Sequence, residues 1–178
     1  MDSKVTIGSE EWISLNELNI PHIKARVDSG AKTSSLHALN IQTYQKDGEA
    51  WVSFDVYPIQ SDGKRKVKCN ALVTDKRVVK SSTGNREQRF VIQTFITLGD
   101  HTWSIELTLT NRDSMGYRML LGREAMQGRL VVDPEESFLS GNISDTIIMS
   151  SYEKFRNTTG GLKIGLLASN HELYSNKR

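Results

Sequence analysis

A chain of 178 residues has room for one domain of ordinary size and a tail, and its 37% hydrophobic and 25% charged content is that of a folded protein. A net charge of +2, with no basic patch interleaved with aromatics, argues against a nucleic-acid partner, and no apolar run approaches the length of a membrane span. Cys69 stands alone and can make no internal disulfide, and the first residues lack the apolar core of a signal peptide, so a cytoplasmic location is expected.

In chain order, Ser9 to Leu15 reads as a first strand or its approach and Asn16 to Asn19 as a turn. Pro21 opens a strand that places Ile23, Ala25 and Val27 on one face. Asp28-Ser29-Gly30 ends it, because Gly permits backbone angles and close approaches that a side chain blocks. On the residues alone this is a strand running into a turn, with one carboxylate at the tip. Thr33 to Ile41 alternates polar and apolar as one further strand. Asp47-Gly48 signals a hairpin, Trp51 to Tyr57 has period two, and Asp62-Gly63 signals a second hairpin leading into Val67 to Val73. Lys64-Arg65-Lys66 with Lys68 reads as a solvated flank of that turn, and Cys69 as a buried, small apolar residue.

Val78-Val79 suggests a short strand, and Ser81 to Glu87 is the most polar internal loop. Phe90 to Leu98 and Thr102 to Leu109 form a hairpin around Gly99-Asp100. Met119-Leu120-Leu121-Gly122-Arg123 is a buried apolar run ending in Gly, followed by a short helix from Glu124 to Gln127 that Gly128 stops, and then by Arg129 to Val132. Many short strands with little helix predict a small closed barrel or a sandwich. After Asp133-Pro134 the chain turns polar and small-residue-rich, and Glu135 to Gly161 reads as an extension and linker.

Two of these stretches, Arg26-Val27-Asp28-Ser29-Gly30-Ala31 and Leu120-Leu121-Gly122-Arg123, carry a resemblance to the retropepsin-like aspartic peptidases. The closer resemblance is to a bacterial branch, the RimK-associated ATP-dependent zinc protease family. Its pattern is matched by Glu11 to Leu15, Pro21 to Ala38, Glu106 to Asp113 and Tyr117 to Met126. The resemblance implies an all-β fold, a small closed barrel of the retropepsin-like acid protease type with one short helix. It implies an aspartic endopeptidase in which Asp28 is catalytic. Two carboxylates about 3 Å apart share one proton, so that one activates water while the other donates to the substrate carbonyl. One chain supplies one Asp28, so the active form is expected to be a homodimer whose axis passes between two copies. Ser29, Gly30, Ala31, Gly122 and Arg123 are the expected substrate-binding and positioning residues. A flap over the site is expected within Val67 to Arg89, with the Asn111 to Gly116 loop as the alternative.

The expected domains are 1–139 for the peptidase, 140–161 for the extension and linker, and 162–178 for the truncated start of a RimK-type ATP-grasp ligase. Expected partners are a second copy, a peptide or protein substrate such as a glutamylated tail, and that ligase domain in cis, with neither nucleic acid nor membrane. Two features depart from the family pattern. Retroviral members have an acid where this chain has Lys32, so Arg123 needs another partner, such as Glu124, Asp113 or a substrate carboxylate. The zinc in the family's name finds no His-Glu-x-x-His, and the four histidines are scattered, so neither metal nor cofactor is expected; His37 is the histidine nearest Asp28 in sequence among those that follow it. The alternative functions are a catalytically silent dimerisation or binding module for the ligase, and a metal-dependent peptidase.

Overall fold

The computed structural model describes residues 4–60, 62–80, 84–111 and 116–159, with side chains up to 154. Twelve strands and two α-helices follow in order among these residues: β1 Val5–Ile7, β2 Glu10–Leu15, β3 Ile20–Asp28, β4 Ser34–His37, β5 Leu39–Lys46, β6 Glu49–Val56, β7 Val67–Leu72, β8 Asp75–Lys80, β9 Arg86–Leu98, β10 His101–Thr110, β11 Met119–Gly122, α1 Arg123–Met126, β12 Leu130–Val132 and α2 Asp145–Thr159. A single 3-10 turn, Asn16–Leu18, joins β2 to β3.

The strands divide into three sheets. The largest runs β10-β4-β11-β3-β2-β9-β8, with β9 also pairing β10; β5-β6-β7 and β1-β12 form the other two. The 13-residue β9 is the hinge of this arrangement. Its first half pairs β8, its second half pairs β10, and Thr97 meets Ser14 of β2. One layer of aliphatic side chains fills the interior, including Ile13, Leu15, Ile23, Leu36, Ile92, Ile96, Leu107 and Leu109, all at most 2% exposed. Each such side chain contributes roughly 1.5–3 kcal/mol relative to an exposed one.

This corrects the small closed retropepsin-like barrel with one short helix. Three sheets form, β8 leaves the large sheet with an edge paired to nothing among the described residues, and a second helix of 15 residues follows the strands. One physical reason lies between Thr33 and Ile41, where one strand was expected. Asn40 takes a φ of 51°, and the strand breaks at Ala38 into β4 and β5. Asn40 Nδ2 then donates to Asp55 Oδ2 at 2.8 Å, so β5 pairs away from the large sheet. The other reason lies after Pro134. Residues 136–140 lie back across β2, and α2 buries Ile148 and Tyr152. The Tyr152 hydroxyl donates to the His22 carbonyl on β3, and Arg65 reaches Met149 O and Glu153 on α2.

The hairpin turns form as expected. Asp47 and Gly48 both take positive φ, 53° and 79°, the conformation a two-residue hairpin loop requires. Cys69 is buried and donates towards Leu18 O. Burial, and then the nearby Asp55 charge, push its thiol up to about 12. Parts of both expected flaps, Ser81 to Thr83 and Arg112 to Met115, lie outside the described residues, as does the expected ATP-grasp start at 162–178.

Candidate functional site

Asp28 ends β3 half-buried beside Gly122, its register partner on the parallel strand β11. The neighbour has to be Gly. A Cβ there would stand 2.5 Å from the Thr33 carbonyl carbon and 2.7 Å from Ser34 N. The close approach lets Gly122 N donate to Ser34 Oγ at 3.0 Å, while Arg123 N and Glu124 N donate to the Ala31 and Lys32 carbonyls at 2.8 and 3.0 Å. The turn after Asp28 is thus fastened to the start of α1 by backbone bonds.

Asp28 organises its own turn. Oδ1 accepts from Gly30 N at 3.0 Å and Ala31 N at 3.1 Å. Oδ2 has no donor among the described residues. Ser29 and Gly30 are exposed, and the Ser29 carbonyl accepts from Arg123 Nη1 at 2.9 Å. Arg123 therefore finds a main-chain partner. Glu124 is engaged elsewhere, 3.6 Å from Lys32 Nζ and 3.1 Å from Thr33 Oγ1, and Asp113 lies outside the described residues. The structure brings together all six expected residues, Asp28, Ser29, Gly30, Ala31, Gly122 and Arg123, at one end of the large sheet. His37 lies apart from them, buried at the far end of β4.

Cations border this end. Lys24 and Arg26 share the outer face of β3 with Asp28, each 5.7 Å from the Tyr117 ring centroid. The Tyr117 hydroxyl donates to Glu10, and that bond raises the phenol above its ordinary range. On the β8 side, Arg77 makes a two-pronged bond to Glu106 at 2.6 and 2.7 Å. The bond from Arg77 holds the Glu106 carboxyl below its usual range. Among the described residues no three His, Cys, Asp or Glu side chains group so as to hold a metal ion.

The sequence reading did not single out Glu11. It is completely buried, and its carboxylate accepts from Gly8 N at 2.7 Å, Leu139 N at 2.9 Å and Ser140 N at 3.2 Å. A signal was present: Glu11 lies in the same strand phase as Ile13 and Leu15, the buried phase of β2.

With this geometry in place the comparisons take on meaning. Residues 6–142 match a family model described as RimB-like, retropepsin-like aspartic endopeptidase RimB. The chain is 57% identical over 176 residues to a probable alpha-L-glutamate ligase of Desulfotalea psychrophila, 55% over 177 to one of Shewanella halifaxensis, and 52% over 178 to one of Parasynechococcus marenigrum. These matches cover 99–100% of this chain and 38–39% of the relatives, so the chain spans well under half the length of the curated relatives it matches. Among solved structures, Lpg0085 of Legionella pneumophila, a protein of unknown function (DUF785), superposes with a TM-score of 0.65 at 32% identity, covering 78% of this chain and 99% of that one.

These findings correct the functional expectations. Relatives identical at more than half of all positions are named as glutamate ligases, and none of those names describes a peptidase or a peptidase tied to a ligase. The expected homodimeric aspartic endopeptidase is therefore withdrawn, together with the zinc protease assignment and the fused ligase read from the carboxy-terminal residues. The partners attached to that reading, a second copy sharing its Asp28, a peptide to be cut and a RimK-type domain fused in cis, go with it. The site agrees: among the described residues no second carboxylate stands beside Asp28, and one of its oxygens is already committed to two local amides. The silent-module and metal-peptidase alternatives belonged to the same reading, and the latter also finds no ligand cluster among the described residues. No helix of the described residues is long and apolar enough to cross a membrane. Shared descent carries a fold, while activity has to be read from the site; by descent, over residues 6–142, the chain belongs to the RimB-like family.

Proposed function

We propose that this chain is part of an α-L-glutamate ligase and that its Asp28 end holds the acidic polypeptide to which glutamate is added. The observation that carries the reading is the 52–57% identity, over essentially the whole chain, to proteins named probable alpha-L-glutamate ligases. The geometry supports the assignment of roles. Arg123 and Lys32 are exposed beside Asp28 and attract the carboxylates of an acidic tail. Asp28 Oδ2 accepts a main-chain N–H of that tail, and Ser29, Gly30 and Ala31 form the wall it lies against. Gly122 acts indirectly, by letting the turn and α1 close on one another.

On this reading residues 1–139 form the acceptor-holding unit, 140–161 connect it, and 162–178 open the ATP-grasp part of the same ligase. ATP use and a lone buried thiol place the protein in the cytoplasm. The test supplies the longer protein containing this chain with ATP, L-glutamate and a peptide ending in several glutamates. Expected are release of ADP and peptide masses rising by whole glutamyl residues. Arg123→Glu should raise the acceptor KM about tenfold with kcat little changed, the signature of lost binding rather than lost chemistry. No glutamyl addition by the intact protein would overturn the reading.

A further inference from the structure

A groove of about 300 Å³ lies away from the Asp28 end, between the outer side of β2 and β3, the β9–β10 turn and residues 140–143. Its lining is polar: Trp12, His22, Thr97, Asp100, Ser140 and Asn142 all contribute. Two of these residues carry hydrogen-bonding atoms that are out of contact with solvent and have no partner, Trp12 Nε1 and Ser140 Oγ. A buried N–H or O–H left unpaired costs about 1–3 kcal/mol, so two in one groove call for an occupant.

The charges around the groove narrow the choice. Asp100, on the exposed turn, is its only carboxylate, and no Lys or Arg lines it, which disfavours a simple anion. One carboxylate facing two unpaired donors equally disfavours a bare cation. His22 is held below its ordinary value by burial, so it is a neutral partner rather than a second positive charge. A group with both signs fits: a carboxylate on Trp12 Nε1–H and Ser140 O–H, and an ammonium on Asp100.

We propose that this groove binds a free amino acid as its zwitterion, with the Trp12 indole and the Ser140 hydroxyl on the carboxylate and Asp100 on the ammonium. The site reaches beyond the ligase reading and does not depend on it, since binding is measured without ATP or acceptor. Its position gives it a consequence. Ser140 N is also bonded to Glu11, and the Gly99 backbone lies against Ser140, so an occupant would tie the β9–β10 turn to the segment that leads into α2.

Isothermal titration of the chain with L-glutamate tests the proposal, with glutarate, which lacks the ammonium, as the second probe. L-glutamate is expected to bind and glutarate to bind at least tenfold more weakly. Ser140→Ala and Trp12→Phe should each weaken L-glutamate about tenfold, and Asp100→Asn at least as much. Ser140→Ala keeps the backbone bond to Glu11 and Asp100 is exposed, so at least these two variants are expected to fold. No heat with L-glutamate, equal binding of glutarate, or unchanged affinity in Asp100→Asn would overturn the proposal. The groove would then hold ordered water only, for which it has room at roughly 30 Å³ per molecule.

Discussion

Two carboxylates in this protein accept backbone amides, and they do opposite work. Glu11 is completely buried, uses both oxygens, and ties residues 8, 139 and 140 into one knot. Asp28 is half-buried, commits one oxygen to amides two and three residues on, and keeps the other open among the described residues. The first joins segments more than 120 residues apart and closes the fold. The second shapes a local turn, which its fastening to α1 through Gly122 already holds in place. A carboxylate that folding does not need is one that binding can use.

The sharpest way to break this comparison is to remove Glu11. Glu11→Ala leaves three amides unpaired in the interior and should cost about 4 kcal/mol in urea unfolding, since bonds to a charged acceptor contribute roughly 1.5–3 kcal/mol each and are not additive. A loss under 1 kcal/mol would mean that residues 139 and 140 are held by other contacts, such as the stacking of Trp12 on Phe138 at 5.9 Å. Next in size is the pair of glycines at the Asp28 end. Gly122→Ala drives a methyl into the Thr33–Ser34 backbone and should cost about 2–3 kcal/mol. Gly30→Ala meets only the Asp28 carboxylate, at 3.2 Å, and should cost under about 1 kcal/mol.

How much of this the sequence revealed depends on which interactions are local. The Asp28 turn was legible because its chemistry lies within four residues, and Gly122 because its motif is fixed in spacing. The Asp47-Gly48 and Gly99-Asp100 hairpins were legible for the same reason. The break at Ala38 was not, because alternation continues straight through it and only Asn40's positive φ, supported by Asp55 from another strand, turns the chain. Helix α2 was hidden by its serines and threonines; it depends on packing Ile148 and Tyr152 against the sheet rather than on propensity. Glu11 and the Trp12–Ser140 groove were invisible because their partners arrive from about 130 residues away. The activity was misread because a motif shared by descent was taken for the chemistry of the site.

A smaller effect sharpens the comparison through pH. Arg77 holds Glu106 below its ordinary range, so Glu106 stabilises the fold above the unfolded glutamate value. That contribution is lost as pH falls through the lowered value. Glu106→Gln should therefore flatten the acid side of the stability curve and leave neutral pH nearly unchanged, the pair being too exposed to contribute much there. An unchanged acid slope would show that the Arg77–Glu106 bond does not persist in solution.

The finest test makes the same substitution at both carboxylates. Amidation replaces one oxygen by an NH2 group and removes the charge. At Glu11 both oxygens are acceptors, so Glu11→Gln turns a donor towards at least one backbone N–H and should cost about 2 kcal/mol. At Asp28 the amide can keep its oxygen on Gly30 N and Ala31 N and turn its nitrogen to the open side. Asp28→Asn should then change stability by less than about 0.5 kcal/mol, as for a surface substitution. Its effect should appear instead as weaker binding of the acidic acceptor, because an NH2 cannot accept the main-chain N–H that Oδ2 would. Equal stability losses at the two positions would show that Asp28 also serves the fold, and the case for a binding role at that end would lose its footing.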